Sequence, residues 1–143
     1  MNKNAIKKYA VWARRELIDR VSKKALRYGI SPDRTADPEA ASVGRRLLSE
    51  TEKKQRRALI EKVAAHGYEQ TMEEAAYTWF NRFAALRFME VNGYLPSHVR
   101  VFTNDAGEFK PQILAEAIHL ELPGLDKEKV YALKEANDEE ALF

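Results

Sequence analysis

Four cations near the start of the chain, Lys7, Lys8, Arg14 and Arg15, have the type and spacing to meet nucleic-acid phosphates. Lysine and arginine supply the sequence-independent part of DNA affinity by releasing counterions from the phosphate backbone. More cations follow at Arg20, Lys23, Lys24 and Arg27, and a second basic run holds Arg45-Arg46 and Lys53-Lys54-Gln55-Arg56-Arg57. Glu16, Asp19, Glu50, Glu52 and Glu61 are interspersed, so an ordinary solvated helix face accounts for the same residues. Tyr9 and Trp12 share a side of the first helix with Arg20 and Lys23. Such a side is expected to be a second buried face, with a stacking platform for bases as the alternative.

The rest of the chemistry-bearing residues form no catalytic or metal-binding pattern. His66, His98 and His119 are widely spaced and lack the i, i+4 pairing of a helical metal site. No serine lies in a glycine-flanked nucleophile turn. Glu50, Glu52, Glu73 and Glu74 read as helix-start residues that favour the dipole and the caps. The expectation is therefore no catalytic, cofactor-binding or metal-ligating residue within the chain. There is no cysteine, which excludes disulfides and thiolate metal sites and fits a reducing cytoplasm. No apolar stretch is long enough to cross a membrane, and no signal-peptide block opens the chain.

Charge is unevenly distributed. The net charge is only +2, yet residues 1–28 hold nine Lys/Arg against two acids, and residues 101–143 hold four against ten. This asymmetry serves either two different partners or complementarity within the molecule.

The elements that would position these residues are mostly helices. Ile6, Ala10, Ala13, Leu17 and Val21 recur at helical spacing over residues 3–28, and Gly29 follows as a left-handed stop. Asp37-Pro38 reads as the start of a second helix. Ser49-Glu50-Thr51-Glu52 is a capping box before Ala58, Leu59, Ile60 and Val63, and Gly67 ends that helix. Thr71-Met72-Glu73-Glu74 reads as a further capping box. It would open an aromatic helix near residues 72–92, closed by Asn92-Gly93. Val99 to Phe109 alternates around Asn104-Asp105-Ala106-Gly107, which predicts a short β-hairpin near 99–110. Pro111 to Leu122 and the stretch after Asp126 return to helix.

The aromatic helix is apolar almost all round, with only Glu74, Thr78, Arg82 and Glu90 as a polar stripe, so it is expected at the centre of the molecule. Asn81 repeats with Tyr77 and Phe88, and Arg87 with Phe80, Ala84 and Val91. Both are expected in a structural polar core, where each needs a partner. Glu90 is the local candidate for Arg87. The fold class is thus all-α, or nearly so: a multi-helix bundle around that helix. At 143 residues the chain has the size of one domain. Its apolar end, Ala141-Leu142-Phe143 after an acidic run, suggests a cut within a longer protein.

The string from Ala76 to Pro96, with Asn81-Arg82-Phe83-Ala84-Ala85-Leu86-Arg87-Phe88-Met89-Glu90 at its heart, resembles the N-terminal region of the BREX phage-defence adenine-specific DNA methyltransferases of the PglX type. The opening residues from Met1 to Arg15 add to the likeness. The resemblance implies a parent enzyme that transfers a methyl group from S-adenosylmethionine to adenine in DNA. Enzymes of that kind carry a glycine-rich cofactor turn and an Asn/Asp-Pro-Pro-aromatic motif around the flipped base. Neither occurs here: the six glycines are isolated and there is no Pro-Pro. The resemblance therefore implies a helical scaffold or interaction module, with the remainder of the methyltransferase, DNA and other phage-defence proteins as partners. The competing reading is an independent helical adaptor for protein or DNA.

Overall fold

The computed structural model describes residues 2–34 and 36–143. Its element order is α1 (Lys3–Arg27), β1 (Ser42–Val43), β2 (Arg46–Leu47), α2 (Glu50–His66), α3 (Tyr68–Val91), α4 (Gln112–Glu116), α5 (Lys127–Glu135) and α6 (Glu139–Leu142). The chain is mostly helical with one short antiparallel hairpin. It divides into two compact units, Met1–Arg82 and Phe83–Phe143, so that α3 contributes residues to each.

In the first unit, α1 is capped by Asn2, whose side chain accepts from the Ala5 N–H at 3.1 Å. Ser49 caps α2 through the expected box: its hydroxyl accepts from the Glu52 N–H at 3.2 Å, and the Glu52 carboxylate accepts from the Ser49 N–H at 2.9 Å. Gly67, at φ +87° and ψ 156°, ends α2 in a conformation that only glycine adopts without strain. The core gathers Ala25, Ile30, Ala36 and Met72, with Val21, Tyr28, Leu59, Ile60, Val63 and Tyr68 packed around them.

In the second unit, α3 ends at Asn92-Gly93 and the chain turns so that the Tyr94 N–H reaches the Met89 carbonyl at 2.8 Å. Residues 100–103 lie against the start of α4: the Ile113 N–H donates to Arg100 O at 2.9 Å and the Gln112 N–H to Thr103 O at 3.2 Å. Asp126 caps α5 and Asp138 caps α6. Leu95, Ala117, Leu120 and Val130 are the buried apolar residues.

Four local expectations are corrected. The hairpin lies at 42–47, not at 99–110. Val43 pairs with Arg46 across a Gly44-Arg45 connection in which Gly44 takes φ +61°, as the first central residue of a tight hairpin requires. Residues 99–110 instead form a turn in which Asn104 accepts from the Glu108 N–H and binds its carboxylate. Asp37 starts no helix: its side chain closes a local turn by accepting from the Glu39 N–H at 2.9 Å. Thr71 does not open α3, because the helix already runs from Tyr68 and the Thr71 hydroxyl donates back to Gly67 O at 2.8 Å. The predicted helix from Pro111 to Leu122 is confined to Gln112–Glu116.

α3 is not wrapped on all sides. Met72, Ala76 and Glu90 are buried, but Tyr77, Phe88 and Val91 are well exposed. Asn81 is exposed too, which removes it from the expected polar core. Other large apolar residues, Ile6, Leu26, Leu47 and Phe109 among them, are themselves exposed and so do not enclose it.

Candidate functional site

The first three turns of α1 have no buried side chain; burial begins at Ala13. No acid lies in the first turn. Lys7, Lys8 and Arg15 surround a shallow depression with Val11 and Trp12. Trp12 is 58% exposed, and its ring stacks in tilted fashion on Tyr9 with centroids 5.7 Å apart. The expectation of a second buried face at Tyr9 and Trp12 is thereby overturned; both rings face solvent.

Arg14 is separated from the other three candidates. It forms an ion pair with Glu73 of α3. That pair sits at a largely apolar groove of about 450 Å³ lined by Ala10, Leu17, Ala76, Tyr77 and Phe80. Lys7, Lys8 and Arg15 have no acidic partner among the described residues. The acids nearest in sequence are already occupied: Glu16 binds Arg20 at 2.6 Å and Asp19 binds Lys23 at 2.6 Å.

Four cations of the second basic run, Arg46, Lys53, Arg56 and Arg57, serve the fold. Arg56 is buried, donating from Nε to the Tyr28 carbonyl at 2.8 Å and from Nη1 to the Asp37 carbonyl. It thus ties the end of α1 and the following loop to α2. Arg57 binds Glu39 at 2.7 Å, Lys53 binds Glu50 at 2.6 Å, and Arg46 pairs with Glu52 while lying 5.2 Å from the Tyr28 ring centroid. Helical spacing does separate Arg56 from its neighbour Arg57: Arg56 repeats with Leu59, Ile60 and Val63, which pack against the core, whereas Arg57 repeats only with Ile60 of these.

The second unit holds a buried carboxylate. The Glu90 side chain has no exposure, and four donors reach it. Glu90 Oε2 accepts from the Val101 N–H at 2.7 Å and the Phe102 N–H at 2.6 Å. Oε1 accepts from the Thr103 hydroxyl at 2.7 Å and from Arg87. Burial pushes its pKa up, but the Phe102 N–H, the Thr103 hydroxyl, the Val101 N–H and Arg87 outweigh it, and the net shift is downward. Arg87 is paired as expected from its spacing, but its side chain is 42% exposed. The buried member is Glu90, which the sequence places on the polar stripe. This arrangement pins residues 101–103 to α3. An ionised carboxylate saturated with donors is unsuited to general acid–base work.

Among the described residues no three His, Asp or Glu side chains gather as a metal-binding group. No helix of the described residues is long and apolar enough to cross a membrane.

Comparison with known proteins gives the chain its relatives. No family model matches it. It is 39% identical over 137 residues to the adenine-specific methyltransferase PglX of Lacticaseibacillus casei (strain Zhang), covering 85% of this chain and 11% of that protein. It is 32% identical over 160 aligned positions to the adenine-specific methyltransferase BrxX of Escherichia coli O9:H4 (strain HS), covering 100% of this chain and 13% of that protein. The chain spans about one eighth or less of either relative. It is homologous to a short segment of the PglX- and BrxX-type adenine-specific methyltransferases.

Proposed function

We propose that this chain is a non-catalytic helical scaffold module of an S-adenosylmethionine-dependent DNA adenine methyltransferase acting in BREX-type phage defence in the cytoplasm. The observation that carries the reading is the similarity to two adenine-specific methyltransferases across nearly all of this chain but only 11% and 13% of theirs. The cofactor and the adenine are then handled by other parts of the enzyme. What supports this is the sequence itself, in which the six glycines are isolated and no Pro-Pro pair occurs.

A scaffold role is supported by unspent surface. The chain exposes 11090 Å², whereas two separately compact units of these sizes would together expose about 9,000 Å². Tyr77, Phe88, Val91 and Tyr94 are among the large apolar side chains left open, a pattern that marks interaction surfaces. The remainder of the methyltransferase is the partner proposed for them.

The test removes this segment from the homologous full-length enzyme and measures adenine methylation of target DNA. The expected result is loss of methylation with recovery when the segment is restored. Undiminished methylation by the shortened enzyme overturns the reading. Calorimetric titration of the isolated chain with S-adenosylmethionine is expected to show no saturable heat.

A further inference from the structure

We propose that the exposed face of α1 carrying Lys7, Lys8, Val11, Trp12 and Arg15 binds the phosphate backbone of duplex nucleic acid. The choice of a duplex as occupant rests on the reading above; the charge arrangement stands independently of it.

Three observations converge on this face. First, its cations are unspent. Arg56, Arg57, Arg46 and Lys53 are committed to carbonyls or carboxylates within the fold, and Arg14 to Glu73. Lys7, Lys8 and Arg15 are not, and the adjacent carboxylates of Glu16 and Asp19 are neutralised by Arg20 and Lys23. Second, the spacing suits a duplex. From Lys7 to Arg15 the helix rises about 12 Å, and each strand of a duplex presents one phosphate per roughly 3.4 Å of axis. Three cations on this face therefore reach about three phosphates. Third, Trp12 is exposed beside them and supported by Tyr9, offering a flat ring for sugar or base edges.

An anionic membrane is the competing anionic surface. A helix that lies in a membrane separates a broad apolar face from a basic one. Here Val11 and Trp12 flank Lys8 and Arg15 on the same arc, so burying the apolar residues would bury the cations with them. A duplex groove and backbone accept the mixture.

The experiment measures binding of the 143-residue chain to a fluorescent 20-base-pair duplex of arbitrary sequence between 50 and 200 mM salt. Three phosphate contacts give a logarithmic salt slope of about −2.7, a loss of about 40-fold over that range. Lys8→Ala with Arg15→Ala is expected to flatten the slope to about −0.9, a loss of about 3.5-fold. Both substitutions lie at exposed helical positions where alanine preserves the helix, and circular dichroism verifies it. The matched control is Lys110→Ala with Lys127→Ala, which removes the same charge from residues paired to Glu108 and Glu121, and it is expected to leave the slope unchanged. Absence of binding at 50 mM salt, an unchanged slope in the α1 variant, an equal flattening in the control, or tighter sedimentation with phosphatidylserine vesicles than binding to duplex would each overturn the proposal. A methyltransferase that needs this segment although the isolated chain ignores DNA would overturn this inference and leave the scaffold reading standing.

Discussion

Arg87 holds Glu90 from a half-exposed position, three residues earlier on α3, while the carboxylate it binds has no exposure at all. The asymmetry decides what each side chain contributes. Glu90 keeps three other donors if Arg87 is lost, whereas those donors have no other acceptor if Glu90 is lost. A pair that looks symmetrical along the helix is therefore a buried acceptor with one replaceable partner.

Glu90→Gln should destabilise the second unit by about 3 kcal/mol, because an amide presents its own N–H groups to the donors of Val101, Phe102 and Thr103. Arg87→Met should cost about 1 kcal/mol, since a half-exposed charge is partly screened and its stem is retained. Urea titration at pH 7 ranks the two. Hydrogen exchange at the Val101 and Phe102 amides should accelerate strongly in the glutamine variant and little in the methionine variant.

Acid should unfold the second unit in part through the same residue. The folded-state pKa of Glu90 lies below its ordinary value of 4.5. Its contribution is therefore complete above that value and is lost as pH falls through the lowered one. Glu50, Glu52, Glu74 and Glu108 are also shifted downward, chiefly by hydrogen bonds from Lys53, Ser49, Lys62 and Asn104, so the whole chain loses stability in this range. The part due to Glu90 is the difference between parent and Glu90→Gln. That difference in urea midpoint should be largest near pH 7 and should shrink as pH is lowered below 4.5.

Arg56→Met should cost the first unit about 2–3 kcal/mol by leaving the carbonyls of Tyr28 and Asp37 without their donors. Arg56→Lys should fail to restore it, because one ammonium cannot reproduce the planar fork that serves two carbonyls. Arg57→Ala, one residue on, removes only an exposed pair with Glu39 and should change stability by about 0.5 kcal/mol or less. Thermal unfolding of the three variants checks the order.

Ser49→Ala should lower stability by about 1 kcal/mol through loss of the capping box at the start of α2. Ser49→Asp should restore most of it, since a carboxylate accepts the same N–H and favours the helix dipole. Circular dichroism during urea titration measures both.

Features that depend on near neighbours are legible along the chain. The helical class, the span of α1, the capping box at Ser49, the stops at Gly67 and Asn92-Gly93, and the cap at Asp126 each rest on a few residues within one or two turns. The hairpin at 42–47 was legible in the same way through Gly44-Arg45, but the stronger Asp37-Pro38 signal for a helix start masked it. The pairing of Arg87 with Glu90 also followed from helical spacing.

Which polar groups are buried against distant segments, and which cations those segments engage, emerges from the folded chain. Glu90 is buried because residues 101–103 return to α3, and Arg56 is buried because the end of α1 and the loop after it converge on it. Arg14 is taken from the phosphate candidates by Glu73, 59 residues away. Lys7, Lys8 and Arg15 have no acidic partner among the described residues, because the acids nearest them on α1, Glu16 and Asp19, are paired with Arg20 and Lys23. The physical reason is common to all of these. Long-range burial and ion pairing are set by which distant segments the chain brings together, and the spacing along one helix does not name those segments.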